Sequence, residues 1–310
     1  MLTPHLKATA AALKSRLAAR IAANKPEYPM KPVEYCERLV AAPGMPWRYA
    51  LRKVDPALRA DLLAVEALAA ELAAIVRRAH EPRVAEARLN WWREEYARAR
   101  QGRAESPVGQ ALSMALGREE LAEGLFEEMF DAADMDRQYT GYRDWDDLAL
   151  YLYRRGSARL LLQSAVLGGS SRCGKAVHAL GQGLELVALL KQLGQDASFG
   201  RLYLPSADME RFSVRPADFM QPQVGDALRG LLDFEAERAR ALLDQGEQAL
   251  AQDDAQRLLM FRILADFARQ WLDEVRADNF ALLDRRIELT PWRLLWRAWR
   301  VKRAAVRSFR

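Results

Sequence analysis

Apolar residues recur at steps of three and four along much of the chain, which is the spacing of one face of an α-helix. The clearest run lies in residues 58–76 and predicts a buried helix; its apolar positions are Leu58, Leu62, Val65, Leu68, Leu72 and Ile75. Further helices are predicted over residues 85–100, 144–166, 181–193, 225–252 and 256–283, and residues 201–222 are predicted to form a loop. No segment alternates apolar and polar residues as a half-buried strand does. The pattern therefore predicts an all-α protein.

Proline-rich turns over residues 25–32 and 41–46 suggest how the chain is divided. We predict an N-terminal basic helix over residues 1–32, one helical domain over residues 33–285, and a basic tail over residues 286–310. Residues 1–25 carry five basic residues and no acidic one. Such a segment is typical of an ordinary amphipathic helix, and organelle presequences share the pattern.

Composition excludes several classes of protein. Two cysteines, Cys36 and Cys173, are too few for a disulfide framework and favour a reducing compartment. The three histidines do not pair with them at zinc-ligand spacing. No apolar run approaches the roughly 20 residues of a membrane-spanning helix, and the N-terminal segment lacks the apolar centre of a secretory signal.

The tail combines positive charge with tryptophan. Residues 291–310 contain seven basic residues and no acidic one, and Trp292, Leu295, Trp296 and Trp299 fall on one helical face. This pattern is typical of a helix that lies in a membrane interface, which is the interpretation we favour. A helix packed on the body is the alternative, and a nucleic-acid partner is not expected. The basic residues of the predicted membrane interface are Arg293, Arg297 and Arg300.

A short motif carries the most specific signal. The motif begins four residues after Asp196 and reads Gly200-Arg201-Leu202-Tyr203-Leu204-Pro205. Together with Asp196, this segment resembles the second aspartate-rich stretch of squalene and phytoene synthases. That family has an asparagine, an arginine and an aspartate where this chain has Ala188, Lys191 and Gln192. Other stretches resemble the family in the same order: Tyr35-Cys36, Pro43-Gly44, Arg48-Tyr49-Ala50, Arg88–Glu95, Pro107–Leu112, Asp136 and Asp147–Tyr151.

The first aspartate-rich motif of that family corresponds to the same predicted helix, taken over residues 58–79. Glu66 stands in place of a tyrosine, Ala70 in place of a phosphate-binding arginine, and Ala73, Ala74 and Arg77 in place of aspartates. The resemblance implies a terpenoid-synthase-like single-domain helical bundle around a central cavity. In the family both motifs bind Mg²⁺, which binds the substrate diphosphates. Because the carboxylates are missing, we expect no metal and no cofactor, with Mg²⁺ required only if the chain is an active enzyme.

The remaining polar residues leave alternatives open. Glu66 and Asp196 are candidates for a shifted metal site, or Glu66 is a solvated or paired acid at the cavity rim. Asp196 is expected to pair with Arg201 or to cap the following loop, if it is not a remnant metal ligand. The candidates for a residual cavity are Asp196, Arg201, Tyr203, Arg48 and Trp91.

The eroded motifs resemble those of a subgroup that includes the mitochondrial complex I assembly factor and its bacterial relatives. Glu71-Leu72-Ala73 and Gly156-Ser157 carry this resemblance. It implies a pseudoenzyme that assists assembly or acts as a scaffold, with respiratory complex I as the specific pathway. The expected location is cytoplasmic and peripheral to the inner membrane, or the mitochondrial matrix in a eukaryote. Expected partners are a membrane surface, an unidentified protein and a prenyl lipid. The alternatives are an active prenyltransferase that condenses two prenyl diphosphates, and a prenyl-lipid carrier.

Overall fold

The computed structural model describes residues 30–78, 81–221, 223–283 and 285–307, and every regular element within these ranges is helical. An isolated β-bridge joins Gly141 to Leu202. The all-α class predicted from periodicity is confirmed. Most of the predicted N-terminal basic helix, residues 1–29, lies outside the described residues.

The α-helices follow one another as α1 (Pro32–Val40), α2 (Pro46–Leu51), α3 (Arg59–Arg78), α4 (Pro82–Arg100), α5 (Pro107–Leu116), α6 (Glu123–Gln138), α7 (Trp145–Leu152), α8 (Ala158–Val166), α9 (Gly174–Ser198), α10 (Ser206–Arg211), α11 (Asp226–Gln248), α12 (Gln252–Arg257), α13 (Leu259–Ala277) and α14 (Pro291–Arg307). A π-helical turn, Tyr153–Ser157, joins α7 to α8, and 3₁₀ turns cover Pro56–Leu58, Ser171–Cys173 and Pro216–Met220.

The predicted loop over residues 201–222 was wrong in part, because α10 and a 3₁₀ turn lie within it. Pro205 is the N-cap residue of α10 and Pro216 is the first residue of the 3₁₀ turn. Proline is tolerated at these positions, since the first turn of a helix leaves its N–H groups without an internal partner. Two of the prolines that favoured a loop prediction therefore stand at the starts of short helical segments.

Helices α3 and α9 form the centre of the core. Most of the predicted apolar face on α3 is buried: Leu62, Val65, Leu68, Leu72 and Ile75 are each at most 3% exposed. Leu58, also predicted on this face, lies in the 3₁₀ turn before α3 and is half-buried. Helix α9 is longer than its predicted core and is buried on most sides, with 15 of its 25 residues buried. It packs against α8, α11, α13 and the π-helical turn. These two helices carry both motif segments, so the packing of the core fixes the candidate site.

The π-helical turn crosses α9 at a pair of glycines, Gly156 and Gly181. A Cβ at Gly156 would overlap the carbonyl oxygen of Gly181, and a Cβ at Gly181 would overlap the backbone of Ser157. Because backbone atoms meet backbone atoms, neither position has room for a side chain. The Gly156-Ser157 pair noted in the sequence is therefore required by close helix packing.

We expect Gly181→Ala to lower the free energy of unfolding by about 1–3 kcal/mol or more, because an overpacked contact must push two backbones apart. The matched control is Gly124→Ala on α6, where an added Cβ meets no atom within 4 Å. That control should change stability by no more than about 1 kcal/mol, in the stabilising direction. Urea unfolding of both variants makes the comparison. Equal stability of Gly181→Ala and the wild type would contradict the described helix crossing.

Candidate functional site

The two motif segments face each other across a narrow cleft between α3 and α9. This motif cleft has a volume of about 10 Å³, which is barely enough for one water molecule. Its lining residues are Ala73, Val76, Arg77, Asp136, Arg155, Leu189, Asp196, Arg201 and Tyr203. The structure therefore brings together residues of both eroded motifs, as the sequence predicts. Ala70 packs half-buried against the core and Ala74 is buried within α3.

A side-chain hydrogen bond closes the cleft directly between the two eroded motifs. Arg77 on α3 donates from Nη1 to Oε1 of Gln192 on α9. Gln192 in turn donates from Nε2 to the carbonyl of Ala188, at 3.4 Å. A fixed cation and a neutral amide thus occupy positions where the family resemblance places carboxylates. Sequence reasoning found both residues and missed their contact, which spans 115 residues of chain.

The carboxylate of Asp196 lies in the cleft, and no described side chain pairs with it. The side chain is buried, and no described residue forms an ion pair or hydrogen bond with its carboxylate. Burial raises the pKa of Asp196 to about 6, and the nearby guanidiniums of Arg155, Arg77 and Arg201 limit that rise. The predicted pairing with Arg201 is not formed, because Arg201 donates to the carbonyls of Asp136 (2.6 Å) and Tyr139 (3.2 Å).

Asp136 connects the loop after α9 to the helices beneath it. Its Oδ1 accepts hydrogen bonds from the hydroxyls of Tyr151 (2.7 Å) and Tyr203 (2.9 Å), and its Oδ2 lies 2.8 Å from Nη1 of Arg155. The backbone of Leu202 also donates to Thr140 at 2.8 Å. The Gly-Arg-x-Tyr-Leu-Pro stretch is thereby held in place by hydrogen bonds, and Tyr203 also lines the motif cleft, as predicted.

A chain of buried ion pairs continues from Arg155 across the bundle. Nε of Arg155 lies 2.7 Å from Glu185, whose other oxygen lies 3.4 Å from Arg159. Arg159 then pairs with Glu66 at 3.1 Å, and Gln163 donates to the second oxygen of Glu66 at 2.7 Å. Glu66 is therefore a paired acid, as one of the two alternatives predicts. Within the described ranges no group of three or more His, Cys, Asp and Glu side chains is arranged to hold a metal ion.

Two predicted cavity residues lie elsewhere. Arg48 donates to the carbonyl of Ala41 at 2.9 Å and pairs with Glu37 at 3.3 Å, so it fastens α2 to the end of α1. Trp91 packs edge-on against Trp92, with the ring centroids 4.9 Å apart. Neither Arg48 nor Trp91 lines the motif cleft or the larger cavity beside it. The cavity prediction was wrong for both residues, since sequence order did not reveal which helix face they occupy.

A second, mostly apolar cavity of about 130 Å³ lies on the other side of the ion-pair chain. Its lining residues are Pro46, Trp47, Glu66, Arg159, Leu160, Leu184, Val187, Ala188, Lys191, Leu264, Phe267 and Ala268. Glu66 lines this apolar cavity, whereas Asp196 lines the motif cleft. The structure gives no support to a shifted metal site that uses both carboxylates.

Lys191 places its ammonium at the apolar cavity. Lys191 is exposed and also lines the cavity wall. Its Nζ lies 5.1 Å from the centre of the Trp271 ring. Burial lowers the pKa of Lys191 to about 8, and Glu288 opposes that effect. Sequence reasoning treated Lys191 as an eroded motif position and missed its place in the cavity wall.

The tail helix α14 packs on the body through one face and exposes the other. Leu294 and Ala298 are fully buried, whereas Trp292, Trp296 and Trp299 are 80%, 54% and 48% exposed. The predicted tryptophan face therefore exists, and it points away from the protein. In the part of the chain that the structure describes, no helix is long and apolar enough to cross a bilayer.

Three tail arginines pair with carboxylates of α13, and one of them also lies over an exposed tryptophan ring. Arg297 and Arg300 pair with Asp266 of α13 at 2.7 Å and 3.0 Å, and Arg293 pairs with Glu274 at 2.6 Å. Arg300 also lies over the Trp296 ring, with its guanidinium carbon 5.0 Å from the ring centroid. The tail is thus fixed to the body, and the packed-helix alternative describes one of its faces.

Comparison with known proteins agrees with this geometry. The family model described as squalene/phytoene synthase matches residues 47–293, so the chain belongs to that family. It is 29% identical to the phytoene synthase of Arthrospira platensis over 222 residues, which cover 66% of this chain and 71% of that protein.

Two solved structures share the fold. A crystal structure of a dehydrosqualene synthase in complex with ligand has a TM-score of 0.78 and 21% identity, and the match covers 88% of this chain and 96% of that one. The squalene synthase HpnC from Alicyclobacillus acidocaldarius has a TM-score of 0.69 and 22% identity, with 80% and 94% covered. The predicted terpenoid-synthase-like fold is confirmed.

We expect Asp196→Asn to stabilise the protein at pH 8 by about 1–3 kcal/mol relative to the wild type. The pKa of Asp196 is raised to about 6, so the fold favours the protonated carboxyl. Its contribution to the free energy of unfolding is fully present near pH 4 and is lost as the pH rises through 6. The advantage of the amide should therefore vanish towards pH 4. Urea unfolding at several pH values measures the difference.

A second buried acid, Glu235, also titrates in the pH range of that experiment. Burial raises its pKa to about 7, against the opposing effect of Arg238, so it titrates over a similar range. Because Glu235 is present in both proteins, its contribution cancels in the difference. An Asp196→Asn protein less stable than the wild type at pH 8 would show that the surrounding guanidiniums hold the ionised carboxylate.

Proposed function

With the chain placed in the squalene/phytoene synthase family, we propose that it is a non-catalytic member that acts as an assembly or scaffold factor at a membrane surface. By resemblance to the complex I assembly factor subgroup, respiratory complex I is the pathway we propose. The proposed location is cytoplasmic and peripheral to the inner membrane, or the mitochondrial matrix in a eukaryote. The partners we propose are a membrane surface and a protein, with no nucleic acid.

The observation that carries this proposal is the hydrogen bond from Arg77 to Gln192 across the motif cleft. Ionisation of a prenyl diphosphate develops negative charge on the leaving group, which a metal ion normally stabilises. Mg²⁺ takes oxygen ligands, with carboxylates prominent among them. The cleft offers the single unpaired carboxylate of Asp196, and the guanidinium of Arg77 repels a cation. The residues present do not fit a Mg²⁺-diphosphate site.

An active prenyltransferase remains the alternative, because the relative from Arthrospira platensis is named a phytoene synthase. A prenyl-lipid carrier is the other, and the apolar cavity is the observation that favours it. That cavity is close in size to one that holds benzene, so a whole prenyl chain would require it to widen. Both alternatives require a long isoprenoid to enter the protein.

We expect isothermal titration with farnesyl diphosphate and Mg²⁺ to give no metal-dependent binding in the micromolar range, because the cleft lacks the carboxylates that hold the metal. The matched variant carries Ala73→Asp, Arg77→Asp and Gln192→Asp. Its restored carboxylates should give weak Mg²⁺ binding at most and no condensed product, because Glu66 and Ala70 still differ from the family motif. Micromolar, Mg²⁺-dependent binding by the wild type would refute the non-catalytic proposal.

The membrane part of the proposal rests on the exposed face of α14. Tryptophan favours the interface between lipid and water, and each basic residue near an anionic surface adds about 1 kcal/mol. We expect the triple substitution of Trp292, Trp296 and Trp299 by serine to weaken binding to anionic vesicles about tenfold or more. Binding of the wild type should also weaken as salt rises, since the Debye length is about 8 Å at physiological ionic strength.

Vesicles of phosphatidylcholine with phosphatidylglycerol, pelleted with the full chain, measure this binding. The point variants are preferable to truncation, because removing α14 would also expose the surface that Leu294 and Ala298 cover. Phe199→Ser is the matched control, since Phe199 is an aromatic residue of similar exposure away from the tail. Equal pelleting of the triple variant and the wild type would exclude the tryptophan face as a membrane anchor.

A further inference from the structure

Lys191 presents a positive charge to the apolar cavity without a partner for it. Among the described residues, no carboxylate forms an ion pair with Lys191 and no acceptor takes a hydrogen bond from its ammonium. The nearest described interaction is the face of the Trp271 ring, 5.1 Å from Nζ. An ammonium donates up to three hydrogen bonds. Lys191 is exposed at the cavity, and Glu288 attracts its charge without forming an ion pair with it. This end of the cavity therefore favours a ligand that brings a negatively charged acceptor.

The other end of the cavity is already neutralised. Arg159 and Glu66 face the cavity as an ion pair, and Arg159 also reaches Glu185 of α9. Glu185 and Lys191 are six residues apart on α9, which places them about 9 Å apart along the helix axis. The cavity thus has a free cation at one end and a closed ion pair about one and a half turns away.

The walls between these ends are apolar and limit the size of a ligand. Leu184, Val187 and Ala188 of α9 face Leu160 of α8 and Leu264 and Phe267 of α13. A cavity of about 130 Å³ resembles the engineered cavity of about 150 Å³ that holds one benzene molecule. It therefore accepts roughly six carbon atoms, far fewer than the fifteen of a farnesyl chain. An eight-carbon acid fits this limit if its carboxylate and the adjoining carbon stay at Lys191, outside the apolar walls.

We propose that the apolar cavity binds a medium-chain fatty acid, with its carboxylate on the Lys191 ammonium and its alkyl chain along α9 towards Leu160. A carboxylate is complementary in charge to the Lys191 ammonium at the cavity wall, and an alkyl chain of about six carbons matches the apolar walls in size. This binding needs no metal and is independent of the motif cleft. It goes beyond the proposed assembly role and does not depend on it.

Isothermal titration of the full chain with sodium octanoate and with octan-1-ol, in buffer that contains EDTA, tests the proposal. The alcohol has the same chain length without the charge, and EDTA removes any metal-dependent contribution. We expect octanoate to bind the wild type more tightly than octanol. Lys191→Met, which keeps a long side chain without the charge, should weaken octanoate binding about tenfold or more and change octanol binding less than twofold.

A second variant tests the cavity itself. Ala188→Phe places a large ring among the apolar walls and should abolish binding of both ligands, and thermal unfolding will confirm that each variant is folded. No octanoate binding by the folded wild type at millimolar concentration overturns the proposal. Unchanged octanoate affinity in folded Lys191→Met, or in folded Ala188→Phe, overturns it as well. None of these outcomes bears on Mg²⁺-dependent diphosphate binding, which is measured separately.

Discussion

The buried chain of ion pairs from Asp136 through Arg155, Glu185 and Arg159 to Glu66 is the interaction on which the rest of the site depends. It joins α6, the π-helical turn, α9, α8 and α3 in one line. Removing one member of a buried pair leaves an uncompensated charge and costs about 3–5 kcal/mol. All five helical segments must therefore dock together in one register. The motif cleft lies on one side of this line and the apolar cavity on the other, so the ion pairs form the wall between them.

This wall gives the two cavities different chemistry. The motif cleft is polar and almost closed, and the contact between Arg77 and Gln192 holds its two helices together without a divalent cation. The apolar cavity is larger and is bordered by the ammonium of Lys191. Ala73, Arg77 and Gln192 stand where the family resemblance places carboxylates, and the interior beside them still holds a cavity. The space that remains lies beside the eroded motifs and uses a lysine that belongs to one of them.

Periodicity was sufficient to predict the fold class and the buried face of α3, because apolar spacing on a helix is a local property of the sequence. The contacts that define the site are not local: Arg77 meets Gln192, and Arg159 meets Glu66 93 residues away. Their residue types suggested only what was missing from a metal site. In the tail, periodicity grouped the tryptophans correctly, but the face that packs is built from Leu294 and the small Ala298. Composition alone favours burial of the larger side chains, and the structure has the opposite arrangement.

The phase of α8 makes the length of the chain matter at one place. A π-helical turn holds one residue more than the α-helical turn that would replace it, and it absorbs that residue locally, so α8 keeps the phase of an uninterrupted helix. Regular α-helix has no such allowance, and one residue inserted between Ala158 and Arg159 would rotate the rest of α8 by about 100°. Arg159 and Gln163 would then turn away from Glu66, although every side chain of the ion-pair line would still be present. The electrostatic network is therefore encoded by residue count along this helix as much as by residue identity.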